Sequence, residues 1–490
     1  MRVGVLSQEM YPLFYGGIGV QMYLVAKCLV EAGHSVEFFT KELTGAHPDM
    51  ASQLPAGIRV HFVSSHSTPD WDYLPSLSYA RRAEQLVRKV HEQNELDLLL
   101  VTDFGGESLF LQLAPLLRRD GRDVPMVMTI HGASRDVNQA NLRTLTLEDE
   151  IICLQEEIAI ACSSVCLAPS QIYWKQILER LDLAEMPVRI IPNFFNRELF
   201  SDPIPSVSSG SEHKSDRKKI VFVGRLEYRK GIDILLAAFD RVASSRSDIE
   251  LHIVGRDLEW SEYKGYFSEY WLSKLSLEVA QMVHFHGHKS PEELKSLIQS
   301  AYVAVFPSRW EPFGIVALEA MATGMPVVVT AGTGLAEIVG ARYELLIDRD
   351  SSDSDLERVL KKVIDDDVLR DRIGAECRIL ADELCNRAQR VLLAALNELQ
   401  SRGLSSSRKL PGRLIARLQA SVLEYGVGCA AASRNDSHEL IKAVEVRDAI
   451  IQTEQQKILQ KDTEILKRDA IISAQQEEIA RLKRSPQGTH

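Results

Sequence analysis

Short apolar runs alternate with helix-period stripes from residue 1 to about residue 400, and one polar stretch, 201–218, interrupts the alternation. Arg2–Ser7 reads as a strand. A loop holding Gly16-Gly17-Ile18-Gly19 leads into a helical stripe of Leu24, Val25, Cys28, Leu29 and Ala32, stopped by Gly33. Ser35–Thr40 is the next strand, and Ile58–Val63, Leu96–Thr102, Pro125–Ile130, Val165–Ala168 and Val188–Ile191 continue the series. After the interruption the pattern restarts at Lys219–Gly224 and runs through Glu250–Val254, Val283–Gly287, Ala301–Ser308, Val327–Thr330 and Tyr343–Ile347, with helices closing at about 353–364 and 367–400. Strands alternating with helices specify parallel, doubly wound sheets. The expected fold is therefore α/β: two Rossmann-like domains, 1–200 and 219–400, facing a cleft and joined by a Ser-, Pro- and charge-rich linker, 201–218.

A chain of 490 residues is too long for one ordinary core, which agrees with two domains and an extension. A net charge of −11 argues against nucleic-acid binding by the whole chain. No run is long and apolar enough to span a bilayer. Met1–Ser7 reads as a buried strand and lacks the features of a signal peptide. The seven cysteines include no CxxC pair, so a reduced, cytoplasmic compartment is expected, with the thiols as small core residues.

Ligands in doubly wound sheets sit beyond the carboxyl ends of the strands, and several polar residues fall there. Glu311 follows the Ala301–Ser308 strand, and Glu319 lies two turns into the helix beginning near Ile315. The two carboxylates cannot touch, but both can reach one extended ligand across the helix start. Gly314 leaves backbone N–H groups open to an anion, which the helix dipole also favours. Arg225 and Lys230 follow the Lys219–Gly224 strand at another helix start, and two such cations suit a diphosphate. Asp103 and His131 end two strands of the first half. Gly16-Gly17-Ile18-Gly19 is a poor match to the dinucleotide fingerprint, but its bare backbone admits a phosphate or a sugar. Each feature has a plain structural alternative: solvated carboxylates, a basic surface loop, a structural histidine, a tight turn.

Taken together, Val223-Gly-Arg225-Leu with Lys230-Gly231, and Glu311-Pro-Phe-Gly with Glu319-Ala-Met-Ala and Gly324-Met-Pro326, resemble the retaining glycosyltransferases of family 4, which have the GT-B fold. The resemblance covers about residues 1–400. It implies that Arg225 and Lys230 hold the diphosphate of a nucleotide sugar. Glu311 would contact the donor sugar and face the reacting carbon, and Glu319 would bind the ribose hydroxyls. Backbone groups at Phe313, Gly314 and Ile315 would approach sugar and phosphates. Gly16 and Gly17 would line the diphosphate and acceptor side, and His131 would contact the donor sugar. Arg256 and the His286 region would lie near the nucleobase. Two cations and a helix start could replace the metal that other transferases use, so no metal and no cofactor is expected. One departure is that Leu380–Leu399 lacks the aromatic residues the family's last helix often carries.

Beyond the core, 401–440 is a basic helical linker. Arg402, Arg408, Lys409, Arg413 and Arg417 lie near an apolar stripe across 412–424, which fits either a membrane-surface helix or one packed on the enzyme body. In 441–484, Val444, Ile451, Ile458, Ile465, Ile472 and Ile479 recur at heptad spacing, a thin coiled-coil seam suited to self-association or to a protein partner. The expected activity is metal-independent, retaining transfer of a sugar from a UDP- or GDP-linked donor to a glycan or lipid-linked glycan, as in cell-surface polysaccharide or glycoconjugate synthesis, in the cytoplasm or at the inner membrane surface. The alternatives are another GT-B activity, phosphorylase-like or epimerase-like, or a non-catalytic GT-B scaffold whose tail organises a glycan-assembly complex.

Overall fold

The structure is a computed structural model that describes residues 1–14, 16–42, 54–64, 74–117, 124–183, 186–204, 217–260, 265–349 and 353–402, with scattered residues between 414 and 425. Its first sheet is formed by β1 (Arg2–Leu6), β2 (Ser35–Lys41), β3 (Ile58–Val63), β4 (Leu98–Thr102), β5 (Met126–Thr129), β6 (Cys166–Ala168) and β7 (Val188–Ile190). All pair in parallel, in the order β3-β2-β1-β4-β5-β6-β7. The second half opens with β8 (Lys218–Val223) and β9 (Ile249–Val254). A small antiparallel pair follows, β10 (Glu259–Trp260) with β11 (Gly265–Tyr266). Then come β12 (Val283–Phe285), β13 (Val303–Phe306), β14 (Val327–Thr330) and β15 (Leu346–Ile347). The second sheet is also parallel, ordered β12-β9-β8-β13-β14-β15.

Strands covered on both faces read as continuous apolar runs. Leu98–Thr102 and Val327–Thr330 are buried along their whole length. That is why the apolar runs located most strands to within two residues. The last strand is shorter than its apolar run, because only Leu346–Ile347 pairs with β14. The 259–266 pair carries no alternating signal and was not anticipated. The order of strands reverses between β1 and β4 in the first sheet and between β8 and β13 in the second. These switch points leave a crevice at the carboxyl ends of the strands, and the loops that open there hold Gly16, Asp103, Arg225–Lys230 and Glu311.

The two halves share one contiguous apolar cluster, with Val3, Met22 and Phe194 at one end and Ile220, Leu318 and Leu360 at the other. The helix Asp367–Arg402 runs from the second half back to the first. Ala381, Ala388, Ala395 and Leu396 are buried along it. Arg189 of β7 pairs with Glu398 at 3.0 Å, and Arg197 donates to the Asp382 carbonyl at 2.9 Å. Small residues bring the helix close where aromatic bulk would hold it off. Most of the linker (205–216) and the coiled-coil segment 441–484 fall outside the described residues. So does most of 401–440, although Arg417 reaches Glu150 of the first half at 2.7 Å. Among the described residues no helix is long and apolar enough to cross a membrane.

Candidate active site

The second half supplies the charged part of the crevice. After β8 the chain makes a single 3-10 turn, Tyr228–Lys230, and enters the helix Ile232–Ala243 through Gly231 at φ 68°. A Cβ on Gly231 would stand 1.9 Å from the Pro307 carbonyl oxygen, so the turn that presents Lys230 presses directly on the chain leaving β13. The Lys230 ammonium donates to Glu311, and the Arg229 guanidinium lies 3.8 Å from the same carboxylate oxygen. Glu227, buried, accepts from Arg229 Nε at 2.6 Å and pairs with Arg225 Nε at 2.7 Å. Arg229 is thereby fixed at the back of the site, while the Arg225 side chain stays half exposed at its mouth.

Burial pulls the Lys230 ammonium below the ordinary lysine range; Glu311 opposes that and Arg229 adds to it. Burial pushes the Glu311 carboxyl up, but the charges of Lys230 and Arg229 outweigh it and hold Glu311 below the usual carboxylate range. Glu311 is therefore an ionised acceptor, and Lys230 is a cation that a phosphate would keep charged.

Gly314 sits at φ 97° and opens the helix Ile315–Ala322, with no side chain capping its first turn. Phe313 is buried beneath this turn. Gly334 closes in from the far side: its N–H donates to the Glu311 carbonyl at 2.9 Å, and a Cβ there would stand 1.8 Å from the Pro312 carbonyl oxygen. Within the helix Glu319 is buried, and burial pushes its carboxyl up to about 8. Among the described residues no side chain or backbone group hydrogen-bonds that carboxyl. It suits hydroxyl groups, which can donate to it without bringing a charge.

The first half brings a glycine turn and a histidine. The helix Gly17–Glu31 starts at Gly16, whose side-chain position is occupied by Glu9: a Cβ on Gly16 would lie 2.0 Å from Glu9 Oε2. A Cβ on Gly17 would lie 3.9 Å from Ile315 Cδ1, so this helix start faces the helix start at Gly314 across the crevice. The His131 imidazole ring meets Thr129 Oγ1 at 3.1 Å, and burial lowers its pKa to about 4, so it is neutral near pH 7. The adjacent Gly132 places a bare Cα against Pro312 and Trp310. Asp103 is buried and accepts the His131 and Gly132 N–H groups at 3.0 and 3.2 Å, so it shapes the turn and does not face the crevice.

The structure thus gathers Arg225, Lys230, Glu311, Phe313, Gly314, Ile315 and Glu319 around one helix start, with Gly16, Gly17 and His131 opposite. His286 turns away: its Nε2 meets His252 Nδ1 at 2.9 Å on the face of the second sheet. Glu337 binds the Gln171 and Ile172 N–H groups at 3.0 and 2.8 Å, capping a first-half helix and not lining a ligand loop. Four contributors escaped the sequence reading: Arg229, Glu9, Glu227 and Asn141, which accepts from the Arg229 N–H at 3.0 Å and donates to Glu227 at 3.2 Å. Only a carboxylate two residues after a strand end pointed to Glu9; Asn141 carries no local signal.

The comparisons identify the family and the fold. The family model described as Glycosyltransferase Family 4 matches residues 15–199, and the one described as Glycosyl transferases group 1 matches residues 205–379. An uncharacterized glycosyltransferase of Methanocaldococcus jannaschii is 28% identical over 352 residues, covering 69% of this chain and 83% of its own. A D-inositol 3-phosphate glycosyltransferase of a Nocardioides species is 27% identical over 402 residues, covering 76% of this chain and 84% of its own. Among solved structures, sucrose-phosphate synthase of Thermosynechococcus elongatus superposes with a TM-score of 0.65 at 22% identity, over 82% of this chain and 100% of that one. Anabaena HepE in complex with UDP-glucose superposes with a TM-score of 0.58 at 18% identity, over 81% and 100%. The chain belongs to the family 4 glycosyltransferases and has their GT-B fold.

Proposed function

We propose that the chain transfers a sugar, with retention of anomeric configuration and without a metal, from a UDP- or GDP-linked donor to a glycan or lipid-linked glycan. The observation that carries this reading is the Lys230–Glu311 pair beside Arg229, Arg225 and the uncapped helix start at Gly314. Cleaving the bond between sugar and phosphate develops negative charge on the diphosphate. Two cations and a helix start are aimed where that charge forms, and a unit charge pair at 4 Å is worth on the order of 4 kcal/mol at intermediate dielectric. The Lys230 ammonium pairs with Glu311, and the donor's phosphates would take over as its partner. Glu311, ionised, then accepts from hydroxyls of the donor sugar, with neutral His131 opposite. Glu319 accepts from the ribose hydroxyls, the one partner its buried carboxyl lacks. The leaving phosphate, held by Arg225 and Lys230, takes the proton from the attacking acceptor on the same face of the sugar. Anabaena HepE, the structural neighbour with UDP-glucose bound, supports the uridine option.

The test is a thermal-shift series with UDP, GDP and ADP and their sugar conjugates, because a ligand that binds only the folded chain raises its melting temperature. A single nucleotide should give a clear shift that is lost in Lys230→Ala. The same preparation should hydrolyse that nucleotide sugar slowly, and Glu311→Ala should abolish it. No shift with any of them would overturn the transferase reading in favour of a scaffold.

A further inference from the structure

A second cluster of ligating groups lies away from the strand ends that form the crevice. On adjacent parallel strands the sequence carries Glu250-Leu-His252 and His284-Phe-His286, and alternation sends all four polar side chains to one face of the sheet. The register pairs His252 directly with His284. Their rings lie 4.9 Å apart, and the Glu250 Oε2 atom is 3.3 Å from His252 Nε2 and 3.9 Å from His284 Nε2. One ligand atom from each of the three falls within 4.8 Å of the others, and no other group among the described residues does this. Zinc bonds of about 2.0–2.1 Å in a tetrahedron put ligand atoms about 3.3–3.4 Å apart, so a small movement closes the set.

The surroundings are arranged as an outer shell would be. His286 stacks on His252 at 5.1 Å with 9° between the rings, and its Nε2 meets His252 Nδ1 at 2.9 Å. With the proton on His252 Nδ1, that contact fixes the tautomer whose Nε2 lone pair faces Glu250 and His284. Arg217 sits 3.4 Å from the other Glu250 oxygen and leaves Oε2 for the imidazoles. Lys219 is the register neighbour of Glu250 on β8 and is the nearest competing cation by register. The three ligands are partly accessible, with the His284 side chain 40% exposed, so an ion has a path in from solvent.

We propose that Glu250, His252 and His284 bind a divalent transition-metal ion of the zinc class, with His286 orienting His252 and water completing the coordination. Two imidazoles and one carboxylate are a donor set that zinc accepts. The ion would clip the three-residue edge strand β12 to β9. The site is independent of the sugar chemistry and asks for no metal there.

The experiment uses the untagged full chain, stripped with chelator and titrated with zinc by calorimetry, and with cobalt for its tetrahedral absorption spectrum. The expected result is one zinc per chain, a melting temperature that rises with zinc, and a tetrahedral cobalt spectrum. His284→Ala changes a partly exposed side chain on an edge strand and should fold normally, yet should weaken zinc at least 10-fold. His286→Ala should weaken it by about 10–100-fold, the scale of losing an outer-shell partner. Turnover of the zinc-free protein should be unaffected by His284→Ala. Equal zinc binding by wild type and His284→Ala would mean an adventitious ion only and would overturn the proposal, as would the absence of any zinc-dependent shift in the wild type.

Discussion

The two halves present the same parallel βα architecture to one crevice but line their strand ends with different groups, buried acids in the first and cations in the second. Beyond β8 and β13 stand Arg225, Arg229 and Lys230, with Glu311 as their counter-charge. Around β1, β4 and β5 stand Asp103, Glu107 and Glu156, all buried, and each spends its oxygens on the chain itself. Glu107 accepts from the Gln8 N–H at 2.8 Å and from Thr102 Oγ1 at 2.5 Å, and Glu156 accepts from the Gly105 and Ser134 N–H groups at 2.8 and 2.6 Å. Burial pushes these three carboxyls up to about 7, 8 and 8. The first half therefore uses its acids to fasten loops, and the second gathers its cations around Glu311 and Glu227 at the crevice. Topology sets where the strand-end loops gather, and the residues beyond the strand ends set which half is positively charged.

Substitutions on the two sides should separate these roles. Lys230→Ala should lower turnover by roughly 10²-fold or more with saturating donor, the scale of losing one charge-stabilising donor, while the melting temperature changes little. Near-normal turnover would break the comparison. Glu107→Ala should do the reverse. It should cost about 2–4 kcal/mol in denaturant unfolding by stranding the Gln8 N–H and Thr102 hydroxyl and leaving a void, with turnover of the folded fraction within a few-fold of normal.

Glu319 sharpens the comparison by pH. Its folded pKa of about 8 lies above the unfolded value, so the folded state binds the extra proton between about pH 4.5 and pH 8 and loses stability as pH rises through that window. Glu319→Gln should therefore raise the ligand-free melting temperature relative to wild type more at pH 8 than at pH 5. An equal difference at both pH values would mean that the carboxyl ionises freely. The smallest effect belongs to Glu337, whose carboxylate caps the Gln171–Leu181 helix across the two halves. Glu337→Ala should cost about 1 kcal/mol, read as a shift of the urea midpoint, without altering donor affinity.

The charged site was legible in the sequence to the extent that it is local. Gly314 and Glu319 are tied to one strand–helix turn, so spacing alone put them at a helix start and two turns in. Gly231 was legible as the break before a helix, but not as the residue whose missing Cβ admits the Pro307 carbonyl. Asp103 carried the same strand-end signal as His131 and Glu311, yet its oxygens are taken by backbone N–H groups of another segment. No spacing rule separates these cases, because an acid's role depends on which donors reach it first.

By itself the sequence determined the two parallel sheets and the order of the strand-end residues, since apolar period and glycine placement act within a few residues of the chain. Tertiary structure alone decided that Lys230 meets Glu311 eighty-one residues away, that Asn141 of one half braces Arg229 of the other, and that His252, His284 and Glu250 share one face. Charge pairing and hydrogen bonding depend on separation in space, and the topology of the two sheets fixes those separations.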